Sequence, residues 1–274
     1  MAADLISEMI NEETFPDHFY KYRSVSTPEQ LGHLERMVVH GEVYFAQAST
    51  FNDPLDLSIT PSFDASNETI RAYWEQHLKL EYPGLRSTAR KQKAKQFLLE
   101  TRTPAGQARL INNHRKSIHK CGVLSLCTNP TSTLMWSYYS GGHSGVAVRF
   151  SLDEPAVQSV RPFMMWQVHY AKAFPRARFY IDPNDVFIKA MVATKSFEWA
   201  HEHEWRLVRP SKIGAVEFPR RVVDAVIFGL NTTDATKAMV RSWAARRRKS
   251  EPLELLQVAK RPDSFEVSIG PAAI

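Results

Sequence analysis

Phe197-Glu198-Trp199-Ala200-His201-Glu202-His203-Glu204-Trp205-Arg206-Leu207-Val208 is the stretch on which the fold turns. As a helix it would set Glu198 and Glu202 at i, i+4, a like-charge pair that destabilises a helix surface. His201 and His203 also miss the spacing of a helical His-Glu-x-x-His zinc site. As a loop entering a strand it puts Glu202, Glu204 and Arg206 on one face and sends Trp205 and Leu207 to the core. Two carboxylates separated by two residues along a strand stand roughly 6–7 Å apart. That spacing can hold a cationic transition state, as in glycosyl transfer. The competing reading is a carboxylate–arginine network that braces an edge strand.

Working outward, strands are expected at 19–24, 43–45, 121–127, 145–150, 167–170, 205–208, 222–228, 255–258 and 265–269. Thr27-Pro28-Glu29-Gln30 opens a helix with a capping box, and Gly41 stops it. Ile70, Tyr73, Trp74 and Leu78 keep helical spacing. Residues 86–120 read as two basic amphipathic helices broken near Thr103-Pro104, with further helices around 184–195 and 233–248. Strands and helices do not strictly alternate, so the fold class is α+β, not a doubly wound sheet. The expected organisation is a single domain over 1–274. Its sheet-rich core comprises 19–66 and 121–270, and 67–120 form a helical insertion.

The chain has 274 residues, 43% hydrophobic and 23% charged, which excludes a disordered chain, a collagen-like repeat and a disulfide scaffold. No apolar run reaches the ~20 residues that span a bilayer, and the acidic start lacks the form of a signal peptide. With two cysteines only, the expected compartment is a reducing cytoplasm. Net charge is +6. Between Arg86 and Lys120 there are ten Lys or Arg and one acid, Glu100, and Arg246-Arg247-Arg248-Lys249 form a second cluster. Such patches attract polyanions such as nucleic acid, or serve as solvated helix faces.

Other segments can carry chemistry. In a strand over 121–127, Leu124 and Leu126 face one way and Cys121, Val123, Ser125 and Cys127 the other. The two cysteines would lie roughly 20 Å apart, beyond disulfide reach, and read as buried thiols. Ser125 is either a strand hydroxyl bonded to a neighbour or a polar group aimed into a cleft. Leu134 to Gly145 reads as a short helix with Trp136 and Tyr139, followed by a glycine turn. His143 in that turn can act as an acid or base, or cap backbone groups. Phe51-Asn52-Asp53-Pro54-Leu55-Asp56 suits a tight turn; a two-carboxylate metal site there lacks a nearby third ligand.

Five ordered motifs carry a resemblance over roughly 19–270. They are Tyr20-Lys21-Tyr22-Arg23-Ser24; Phe51 to Asp56; Leu124-Ser125-Leu126-Cys127; Met135-Trp136-Ser137-Tyr138-Tyr139 with His143 and Gly145; and Lys195 to Trp199 with Glu202 to Arg206. Together with Ile227-Phe228-Gly229 they resemble a widespread bacterial family of cytoplasmic proteins whose domain has no assigned function. More distantly, the order Arg, strand Ser, Glu-x-Glu is similar to the ADP-ribosyltransferase superfamily. The usual Ser-Thr-Ser run is here Leu124-Ser125-Leu126.

The second resemblance implies a split mixed β-sheet with NAD as substrate. Arg23 would contact the nicotinamide-side phosphate or ribose. Ser125 would shape the nicotinamide pocket, with Tyr22, Tyr139 and His143 also binding NAD and Tyr139 stacking on nicotinamide. Glu204 would bind the ribose 2′-hydroxyl and stabilise the oxocarbenium-like transition state, and Glu202 would activate the acceptor. It implies ADP-ribosyl transfer to a nucleic acid or protein, or NAD hydrolysis, in a toxin or antiphage setting, with no metal. The rival readings are a nucleic-acid-acting protein that uses its basic helices, and a non-catalytic structural or interaction module.

Overall fold

The computed structural model describes residues 15–152 and 164–272. Along the chain run β1 (Phe19–Arg23), α1 (Pro28–Glu35), β2 (Glu42–Gln47), α2 (Asn67–Glu81), α3 (Ser87–Thr101), α4 (Pro104–His119), β3 (Gly122–Cys127), α5 (Thr133–Tyr139), β4 (Val146–Phe150) and β5 (Met164–Gln167). Then come β6 (His169–Ala171), α6 (Asn184–Val192), β7 (Thr194–Ser196), β8 (Glu204–Arg209), β9 (Gly214–Glu217), β10 (Val223–Phe228), α7 (Asp234–Ala245), β11 (Glu254–Lys260) and β12 (Val267–Pro271). The fold is mixed α and β around one large mixed sheet. The chain divides into two compact units. The larger draws on 15–47, 121–152, 164–168 and 197–272, and the smaller on 48–120 and 169–196.

In the larger unit ten strands form the sheet, in the order β12-β11-β10-β4-β1-β3-β2-β9, with β8 on β3 and β5 on β8. β8 pairs with β3 along its whole length, so β1 and β2 share the other edge of β3. β1 meets it at Cys127 and β2 at Gly122 and Val123. β10 and β11 run parallel, linked through α7. The helix expected from the capping box is present: Thr27 Oγ1 accepts from Gln30 N, and the Gln30 side chain accepts from Thr27 N. It continues as a π-helical turn, Arg36–His40, and ends at Gly41 with φ +72°. A Cβ on Gly41 would lie 2.3 Å from the Phe218 carbonyl oxygen, so this reversal needs glycine twice over.

Period-two alternation sorts the sheet's side chains onto two faces. Phe19, Leu124, Leu126, Val146, Val148, Trp205 and Leu207 enter one core, with Leu34 and Met37 and with Val240 and Trp243 of α7. Each such side chain contributes about 1.5–3 kcal/mol on full burial. Tyr22, Cys127, Ala147 and Ile227 enter a second core on the other face, under Met135 and Trp136 of α5.

The smaller unit has its own core of Phe63, Ile70, Leu98 and Tyr180. Trp74 stacks on Phe97 at 4.3 Å, and the hydroxyls of Thr101 and Tyr180 lie 2.9 Å apart. The helices expected over 67–120 are α2, α3 and α4, and their unit also takes in β6, α6 and β7. One extended run expected over 167–170 is instead two strands. They break at Val168, with β5 in the large sheet and β6 in a two-stranded one. A strand at 214–217, not foreseen, pairs with β2.

The C-terminal basic cluster is partly internal. Arg247 is buried and donates to the carbonyls of Val223 (2.6 Å) and Arg220 (2.8 Å), while Arg246 pairs with Glu35. Replacing Arg247 with alanine removes its charge-assisted bonds to both carbonyls, worth about 1.5–3 kcal/mol each. The expected outcome in urea titration is a clear drop in midpoint for Arg247→Ala. The exposed Arg248→Ala and Lys249→Ala should stay within about 0.5 kcal/mol of the parent.

Candidate functional site

The Glu-His-Glu segment is neither all helix nor all strand. Phe197–Glu202 form a 3-10 helix that ends on His203, whose φ of +44° is left-handed. β8 starts at Glu204. The left-handed residue reverses the chain between the two acids, so Glu202 belongs to the helix and only Glu204 and Arg206 share the face of the strand. Strand β8 is also not an edge, because β3 and β5 flank it.

Both acids are buried, Glu202 and Glu204 each at 4% exposure, and Arg206 is wholly enclosed. Arg206 Nε donates to Glu204 Oε1 at 2.8 Å, and its Nη2 donates to Oε2 at 3.1 Å. This two-pronged contact satisfies a charge that cannot neutralise itself by losing a proton. Tyr139, at the end of α5, donates its hydroxyl to Glu202 Oε1 at 2.6 Å.

Strand register brings the other members in. Ser125 lies opposite Arg206, and Cys127 opposite Glu204, so all four share one face. Burial pushes the Cys127 thiol up to about 12, with the charges of Glu202 and Glu204 adding to the rise. Its sulfur donates to Asn129 O at 3.3 Å and accepts from Asn129 N at 3.2 Å. The Ser125 carbonyl accepts from Lys21 Nζ at 2.7 Å. Tyr22 is on this face too. Its hydroxyl donates to Asn129 O at 2.7 Å, its ring meets Trp136 edge-on, and burial holds the phenol well above its usual range.

Arg23 does not join them. It pairs with Val146, whose side chain lies in the core on the opposite face, whereas the neighbouring pair Tyr22 and Ala147 faces the acids' side. Burial lowers the pKa of Arg23, and its Nε is enclosed without a partner. His143 sits in the glycine turn after α5 with φ +66°, stacked on Trp136 and 3.5 Å from Ser137 Oγ through Nε2. Burial lowers its pKa, and its carbonyl accepts from Asn231 N. The next strand leaves this turn through Gly145, where a Cβ would stand 2.1 Å from the Arg23 carbonyl oxygen.

The structure therefore groups Ser125, Tyr139, Glu202 and Glu204, with Tyr22 on the same face. It leaves Arg23 on the other face and holds His143 in its own turn. Sequence reasoning gave Arg206 a place only in a carboxylate–arginine network, where the structure pairs it with Glu204, and passed over Cys127 as a plain buried thiol. The local signal was the alternation within each strand, 125 with 127 and 204 with 206; the register of β3 on β8 then puts both pairs on one face. Of the ten bases between Arg86 and Lys120, nine are exposed; Arg90 is half-buried and bonds to Leu85 O.

Comparison with protein-family models, with curated proteins and with solved structures finds no match to this chain. Among the described residues, no helix is long and apolar enough to cross a membrane.

Removing one member of a buried ion pair leaves the other unpaired, at about 3–5 kcal/mol, whereas replacing both with apolar groups is often nearly neutral. Glu204→Leu should lower the stability of the fold by that amount in urea titration, and Arg206→Met added to it should restore most of the loss. The Cys127 thiol should resist a disulfide-exchange reagent at neutral pH and react once guanidinium unfolds the chain. Labelling with and without denaturant, in a Cys121→Ser background, reads this directly.

Proposed function

We propose that the buried acid cluster is a glycosyl-transfer centre that cleaves the nicotinamide–ribose bond of NAD and passes ADP-ribose to water or to an acceptor. The observation that carries this reading is the convergence of two enclosed carboxylates, a tyrosine hydroxyl and Ser125 on one sheet region. As nicotinamide leaves with the bonding electron pair, positive charge builds at the anomeric carbon. A preorganised carboxylate in a water-poor setting stabilises that charge at no reorganisation cost.

Glu202 is assigned to face the forming cation, with Tyr139 fixing its orientation. Glu204, held at both oxygens by Arg206, is assigned as a positioning residue. The contact with the nicotinamide-side phosphate or ribose expected of Arg23 is dropped, because its parity directs it to the other face. Nicotinamide release from NAD tests the reading. The parent protein should turn NAD over; Glu202→Gln should lose on the order of 10²–10³ in rate; Arg23→Ala should keep most of it. Purified, folded protein that neither binds nor consumes NAD would refute the proposal.

One observation favours a second reading, a non-catalytic brace. Both oxygens of Glu204 are engaged by Arg206 within its own strand. On that reading no turnover appears under any condition, while Glu202→Gln and Tyr139→Phe still lower thermal stability.

A further inference from the structure

The smaller unit encloses a cavity of about 380 Å³, a size that takes small molecules. One face of α4 forms a wall: Ile111, His114, Arg115, Ile118 and His119 follow the i, i+3, i+4 rule. Residues of the 48–61 segment line the remainder, with Phe51, Leu57 and Ile59 apolar and Asp53 and Asp56 acidic. Asp56 is buried and stands 3.9 Å from the buried Lys195 ammonium, which balances its charge. Asp53 is half-exposed, and its Oδ1 accepts from Leu55 N at 2.8 Å.

Two features of the lining ask for a ligand. His114 meets Phe187 edge-on, and its Nε2 is enclosed with no hydrogen-bond partner. Burial keeps this imidazole below its ordinary pKa, so it is neutral at pH 7. Arg115 is exposed at the rim, and among the described residues it forms no ion pair. A purely apolar occupant would leave the imidazole nitrogen without a partner and take water from the half-exposed Asp53 carboxylate, at a cost in binding. A bare inorganic anion would meet Asp53 and gain nothing from the apolar walls. The matching chemistry is a flat ring with adjacent N–H donors on one edge and an anionic group at the other end. A carboxylate only accepts hydrogen bonds, so two neighbouring N–H groups suit it best.

We infer that this cavity binds a nucleoside monophosphate. The base, guanine by its paired N–H edge, lies between the apolar walls against Asp53 and His114, and the phosphate rests on Arg115 and His119. The site belongs to the smaller unit, and its success or failure is independent of the acid cluster's reading.

Calorimetric titration of the full chain tests it with four probes: GMP, AMP, guanosine and inorganic phosphate. GMP should bind saturably at one site, with AMP and guanosine weaker by on the order of tenfold or more. Arg115→Glu should weaken GMP by a similar factor and leave guanosine unchanged, because only the phosphate contact is lost. Asp53→Asn should erase the preference for GMP over AMP. The inference falls if cooperatively folded protein shows no saturable GMP binding at millimolar ligand. It falls equally if phosphate alone binds as tightly as GMP, or if both variants bind GMP as the parent does.

Discussion

Arg206 has no contact with solvent, and a guanidinium keeps its proton under all ordinary conditions. A counter-charge must therefore lie within reach, and the pleat of β8 supplies one two residues earlier, at Glu204. Much of the acid-bearing face follows from that requirement. Alternation puts both charges on the face that also receives Ser125 and Cys127 from β3, so the bulky apolar residues of β8, Trp205 and Leu207, go to the opposite core. With Glu204 committed to Arg206, the second acid finds its bond elsewhere, at the hydroxyl of Tyr139. The left-handed turn at His203 makes that separation possible, because an extended residue there would have kept both acids in one strand.

Local features were readable from the residues alone. The capping box at Thr27 and Gln30, the stop at Gly41 and the alternation of β3 all depend on neighbours within one element. The two basic helices broken at Thr103-Pro104 were readable for the same reason: Thr103 accepts from Gly106 N as an N-cap. What escaped depends on distant partners. Whether Arg23 shares a face with Ser125 is decided by the register of β1 against β4 and β3, which no stretch of β1 encodes. Arg247 looks like one more surface base until β10 and the turn before it present their carbonyls to it. Val168 ends one strand and precedes another because the two pair with different partners. In the acid segment helix and strand readings were both half right, since a single residue of unusual backbone divides it.

The two units place different kinds of surface on view. The larger encloses Glu202, Glu204 and Arg206 against a sheet whose faces are covered by α5 on one side and by α1 and α7 on the other. The smaller keeps nine bases of the 86–120 stretch in water while its aromatic residues make the core. Charge on those helices is thus compatible with a solvated face, and the chemically selective element of that unit is the wall that α4 presents to the cavity.

The order of strands in the sheet has a consequence for synthesis on the ribosome. β4 lies between β1 and β10, with Val146, Ala147 and Val148 matched residue by residue to partners on both sides. A growing chain can pair β4 with β1 early, yet its other edge stays open until residues 223–228 emerge. During that interval the nascent protein exposes a row of unsatisfied amides flanked by β-branched side chains, a template for joining another unfinished copy. Slow elongation between these segments, or a stop before β10, should therefore divert product into aggregates, and a chaperone that shields this edge should recover it.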